Sequence, residues 1–240
     1  MQLNKTVIKI DMNLKMYLPI LFISITSVAF SQEIGFEAPN YKTIKSNIED
    51  KNSKFFYSDL LQRLSVNDTL LNNEDYRHIY YGYVMHKDYN PYGETSNEDK
   101  LRTFYHREEL EKKDYIEFID LANQSLKEFP IDLRLMNYLA YVYHLNGDET
   151  MAKKVSNNFH GFLGAIMSSG DGLKCETSFH VISVTHEYVI LNMFELENVS
   201  QSLIGNCDYL AFEKDKYKIP GLYFNVSKLQ EKNLEILKAK

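Results

Sequence analysis

The 240-residue sequence has no excess of positive charge: 27 lysines and arginines stand against 33 acids, for a formal net charge of −6. Nucleic acid and anionic bilayers repel such a chain over a Debye length, so neither is an expected partner. Phosphate-binding loops are also lacking. Gly170-Asp171-Gly172 is too short and has no lysine at the required place. No Gly-x-Ser-x-Gly elbow raises a serine nucleophile. His186-Glu187 opens like a zinc-protease helix, but Ile190 stands where the second histidine must be. His180 and His186 do not share a zinc-ligand spacing, and His78 and His86 point roughly 80° apart around a helix. The carboxylates are many, and spacing selects no pair of them. The sequence therefore predicts no catalytic residue, no metal site and no cofactor.

Long apolar runs are missing too, with one exception. Tyr17 to Phe30 is apolar, follows Lys15, and ends in the small-x-small pattern Ala29-Phe30-Ser31. A spanning helix needs about 20 apolar residues, and this run is shorter and contains Pro19. It reads as a signal peptide over residues 1–31, with cleavage between Ser31 and Gln32 and Met12 as an alternative start. No cysteine follows it, so a lipid anchor is not expected. The chain beyond is expected to be exported, periplasmic or secreted, with no membrane span of its own. Only two cysteines occur, Cys175 and Cys207. In an oxidising compartment they could close a loop of roughly thirty residues. Two separate buried thiols fit equally well, and the sequence does not arbitrate.

What is present is helical period. Over residues 32–172, Phe56, Leu60, Leu61 and Leu64 form one apolar stripe; Tyr76, Ile79, Tyr80 and Tyr83 form the next, after an Asn72-Asn73 cap. Tyr115, Phe118, Ile119, Ala122 and Leu126 repeat the spacing until Phe129-Pro130 stops it. Leu135, Met136, Leu139 and Tyr143 run up to Asn146-Gly147, and Ala152, Val155, Phe159, Phe162 and Ile166 follow. Each stripe must be covered by a neighbour. Gly147 follows Lys113 at the roughly 34-residue period of tetratricopeptide repeats. Pro130, Ala140, Tyr143 and Ala152 suit that repeat, whereas Phe118 and Ser156 depart from it. A tetratricopeptide-like helical layer is expected here.

Over residues 173–240 the period changes. Thr177–Val184, Cys207–Phe212 and Leu222–Val226 are β-branched and aromatic, as strands are. Residues 187–196 read equally as a helix capped by Thr185 or as a strand. Ser227-x-x-Gln230 should begin a last helix. The expected fold is α+β: a helical layer, then a small mixed or antiparallel sheet with flanking helices, packed as one unit.

Tryptophan is absent, yet there are 18 tyrosines. Tyr80, Tyr81, Tyr89, Asn90 and Tyr92 form the most unusual cluster. Flat rings with hydroxyls suit a recognition surface for peptide or sugar. The reading that weighs more is that they plug the end of a helical layer, since most aromatics belong to a core.

Tyr80-Tyr81-Gly82 with Tyr89-Asn90-Pro91-Tyr92 resembles the N-terminal signature of the family called domain of unknown function 4919. The later part of that family is resembled by Phe179-His180-Val181-Ile182-Ser183-Val184-Thr185-His186-Glu187-Tyr188, by Gln201-Ser202-Leu203, by Cys207-Asp208 and by Leu222-Tyr223-Phe224-Asn225-Val226. The resemblance implies an exported protein of Bacteroidetes-type bacteria with a single-unit layout. It brings no activity and no catalytic residue. The functional expectation is a non-enzymatic module that binds an envelope protein or peptide. The alternative is a hydrolase acting on sugar or peptide, with a site assembled between the two regions.

Overall fold

In the computed structural model, residues 35–107 and 109–238 are described. The expected signal peptide and its cleavage site lie outside them. The helices start where the sequence supplies caps. Asn72 and Asp75 form a capping box at the head of α3 (Asn73–Gly82). The Asp132 side chain accepts from Leu135 N at α6 (Leu133–Leu145), and Asp148 accepts from Met151 N at α7 (Glu149–Met167). Pro130 and Gly147 act as stops: α5 (Lys112–Glu128) ends before the first, and Gly147 (φ 81°) turns the chain out of α6. Two shorter helices, α1 (Tyr41–Glu49) and α2 (Tyr57–Ser65), precede these, and α4 (Glu98–Tyr105) lies between α3 and α5.

Within this layer α6 packs against both α5 and α7, and α7 packs next on α3. Gly161 makes the α3–α7 approach close. A Cβ there would lie 2.3 Å from the Tyr76 ring, whose hydroxyl donates to Asn158 Oδ1 at 2.8 Å. Repeat stacking would lay α7 against α5 as well as α6, whereas its second neighbour is α3, so the tetratricopeptide-like arrangement is not confirmed.

The second part supplies β1 (Phe179–His180), α8 (Val184–Met193), β2 (Asn198–Ile204), β3 (Cys207–Phe212), β4 (Gly221–Asn225) and α9 (Ser227–Lys238). The sheet order is β1-β4-β3-β2, with β1 parallel to β4 and the other pairs antiparallel, so the sheet is mixed. The fold is thus α+β. The strand expected over Thr177–Val184 shrinks to two residues, because Ser183 already serves as the N-cap position of α8. Residues 187–196 fall mostly in that helix rather than in a strand. Gly35–Lys240 forms one compact unit. Its core runs without a break from Leu60, Ile79 and Phe118 through Phe162 and Ile190 to Leu210 and Phe224. Each such side chain contributes about 1.5–3 kcal/mol by leaving water.

Candidate functional site

The tyrosine cluster divides. Tyr80 and Tyr81 are fully buried and Tyr89 is 3 % exposed, so these three form no recognition surface. Their hydroxyls explain why burial is tolerated, since each finds an internal acceptor. Tyr81 donates to the Ala165 carbonyl at 3.1 Å and Tyr89 to the Ile182 carbonyl at 3.0 Å. Tyr80 meets His186. Nε2 of that imidazole lies 3.1 Å from the Ile131 carbonyl, which can only accept, so Nε2 carries the proton. Nδ1 must then accept from the Tyr80 hydroxyl, at 2.8 Å. Burial drives the His186 pKa down to about 3, and burial with the Arg77 charge brings His180 to about 4. His186 is therefore a neutral pin joining α3, α8 and the α5–α6 turn. Replacing Tyr80 by phenylalanine strips Nδ1 of its donor and leaves the Ile182 N–H without its acceptor. The expected loss is about 1–3 kcal/mol in denaturant unfolding; an unchanged midpoint would contradict the pin.

Asn90 and Tyr92 do reach the surface. Asn90 Oδ1 accepts from Tyr92 N at 3.2 Å, forming a turn that projects the half-exposed Tyr92 ring. Beside it lies a pocket of about 240 Å³ of mixed lining, which includes Glu98, Arg102, Asp132 and Arg134. Its charges are already engaged. Arg134 reaches Glu98 at 2.7 Å and Arg102 reaches Glu94 at 2.9 Å. Asp132 caps α6, and burial raises its carboxyl.

Glu187 is different. It is fully buried on α8, and neither carboxyl oxygen has a hydrogen-bond partner among the described residues. Burial pushes it up to about 9, with the Asp208 carboxylate adding in the same direction. The group is neutral at pH 7. The neighbouring Tyr188 hydroxyl donates to Gln201 Oε1 at 2.9 Å, and Gln201 Nε2 donates to Asp208 Oδ2 at 2.8 Å. His186 and Glu187 share no hydrogen bond, so they form no catalytic pair. Among the described residues no group of three His, Cys, Asp or Glu side chains could hold a metal ion.

A second concavity is mainly apolar. A cleft of about 430 Å³ opens between α2, α5, α6 and α7, over Leu61, Leu64, Leu126, Met136, Leu139 and Val155. Three asparagines edge it. Asn158 is engaged at both ends, donating to Asn67 Oδ1 at 2.7 Å and accepting from Tyr76. Asn123 donates to the Tyr143 hydroxyl at 3.1 Å. Among the described residues, Asn67 Nδ2 and Asn123 Oδ1 make no hydrogen bond. The cleft thus carries one amide donor and one amide acceptor beside an apolar floor, the complement of a peptide group between apolar side chains.

The apolar stripes of the sequence name most of that floor, but not that α2 and α5–α7 leave it open. Asn158 stands outside every motif of the sequence. Its signal is a lone amide on the buried face of α7, in register with Val155, Phe159 and Phe162.

A helical layer with an open apolar cleft, backed by a small mixed sheet, defines an α+β protein. The family model of the domain of unknown function DUF4919 matches residues 42–235, and the chain belongs to that family. No curated protein and no solved structure matches it.

Proposed function

We propose that this protein is an exported, non-enzymatic envelope module that holds an apolar peptide segment in the α2–α5–α6–α7 cleft. The observation that carries the reading is the pairing of an apolar floor with Asn67 Nδ2 and Asn123 Oδ1 on its edge. Several side chains of leucine size fit such a volume, each contributing about 1.5–3 kcal/mol when fully buried. Ordering a free peptide offsets much of that gain, so the complex is weak and exchanges readily. Export is supported by the Tyr17–Phe30 run with its cleavage pattern, and by a disulfide between Cys175 and Cys207, a bond that persists in oxidising compartments.

The test is selection of displayed random peptides on the purified protein, followed by calorimetric titration of the enriched sequences. Apolar residues should dominate the selected peptides. Leu126→Glu and Asn123→Ala, both at partly open positions, should each weaken binding about tenfold or more while leaving the melting temperature nearly unchanged. Peptides without apolar residues, or binding indifferent to Leu126→Glu, would sink the cleft as the site.

A further inference from the structure

Strand β2 stands at the edge of the sheet, paired on one side to β3 and on the other to nothing among the described residues. From Val199 to Ile204 every residue is exposed. Val199 is 65 % exposed and Leu203 61 %. Free edges are normally guarded by lysine, proline or inward charges, because their unpaired N–H and C=O groups template further pairing. Asn198–Ile204 contains no charged residue and no proline. Its one blunting feature is the bulge at Val199, between Asn198 and Ser200, which leaves Ser200 to Ile204 regular.

The segment also reads nearly the same in both directions about Gln201: Val199-Ser200-Gln201-Ser202-Leu203. Antiparallel pairing with a second copy, two-fold at Gln201, sets Val199 opposite Leu203 of the second copy. Ser200 then faces Ser202, and Gln201 faces itself. Such an interface is isologous and self-complementary, as a closed dimer requires. Electrostatics permit it despite the net negative charge. Glu197 falls opposite Gly205, and its carboxylate is held by Lys216 at 2.5 Å. Asp208 is engaged by Gln201 Nε2 on the same subunit. No two acids meet, and two apolar pairs leave water.

We propose that β2 is a homodimerisation edge, pairing antiparallel with β2 of a second copy in the register centred on Gln201. This goes beyond the peptide reading and stands independently of the helical cleft.

Sedimentation of the purified protein over a concentration series should show a reversible monomer–dimer equilibrium. Ser200→Lys/Ser202→Lys sets lysines against each other across the two-fold and should weaken the dimer about tenfold or more. Ser200→Glu/Ser202→Glu should do the same. Mixing the two variants should restore dimer as a heterodimer, because the new lysines then face the new glutamates. All four side chains are at exposed positions, and an unchanged thermal melt shows that each variant folds. Gln201→Cys should cross-link to itself under mild oxidation, since directly opposed residues lie within disulfide reach, and Ser202→Cys alone should not. A monomer at every concentration overturns the proposal. So does a dimer insensitive to the lysine pair, which would lie on another face, and so does association only with an unrelated protein.

Discussion

Replacing Glu187 by glutamine should stabilise the protein at neutral pH by about 3 kcal/mol, an unusual direction for a change at a fully buried position. The folded protein holds this carboxyl up near 9 by burial, with help from the Asp208 charge, whereas the unfolded chain releases the proton at about 4.5. Below pH 4.5 both states keep the proton and Glu187 favours neither. Between pH 4.5 and 9 the unfolded state ionises and the folded state does not, so stability falls steadily as pH rises. Each unit of that interval is worth about 1.4 kcal/mol, which gives about 3 kcal/mol at pH 7. Glutamine has the shape of the neutral acid and no proton to lose. The difference in unfolding free energy between variant and wild type should be near zero at pH 4 and grow up to about pH 9. Comparing the two proteins at each pH cancels the other titrating groups. A difference independent of pH would mean that Glu187 finds a partner in the folded protein and stays charged. Native folds rarely retain an unpartnered buried acid without use, which makes α8 beside Asp208 the next place to look for a bound partner group.

Removing the disulfide should have the second large effect. Cys175 sits in the short turn just before β1, and Cys207, fully buried, begins β3. The bond spans 32 positions and ties the entry of the parallel edge strand to the centre of the sheet. Closing a loop of that length in the unfolded chain is worth about 3–4 kcal/mol. Cys175→Ala/Cys207→Ala should therefore lower the melting temperature by roughly 10 °C, and reductant should do the same to the wild type but not to the variant. β1, with only two paired residues, should loosen first and show early amide exchange. The non-reduced wild type should also be lighter by the hydrogens lost on pairing. Two native thiols open to alkylation, with melting unchanged by reductant, would remove the bond from this account.

Much of the helical layer is legible because its signals are local. Asn72, Asp132 and Asp148 satisfy the N–H groups of their own helices, and Pro130 and Gly147 stop helices through their own backbone chemistry. The last helix does begin at Ser227, but Asn225 Oδ1 accepts from its N–H and hydroxyl, and Gln230 turns to the Gly205 carbonyl instead of closing a capping box. β2 was not legible. Asn198–Ile204 has neither strict alternation nor a β-branched run, and it is a strand because β3 offers it an edge. The recurrence from Lys113 to Gly147 is real as spacing, yet spacing cannot say which face α7 turns to α3, where Gly161 and Tyr76 interlock.

The candidate site follows the same division. Tyr80, Tyr81 and Tyr89 carry the same side chain as Tyr92, and only the placement of acceptors separates them. The carbonyls of Ala165 and Ile182 and the imidazole of His186 arrive from elements more than eighty residues away, and Tyr92 meets none of them. The pairing of Cys175 with Cys207 is likewise a matter of two backbones brought within bonding distance. Composition, charge and period by themselves determined an acidic α+β chain with a helical first part and no recognisable catalytic motif. Which tyrosines are hidden, where an apolar cleft stays open, why Glu187 is neutral and which strand is left unpaired were decided only by tertiary packing. Burial and hydrogen-bond satisfaction depend on neighbours distant in sequence, and no local pattern encodes who those neighbours are.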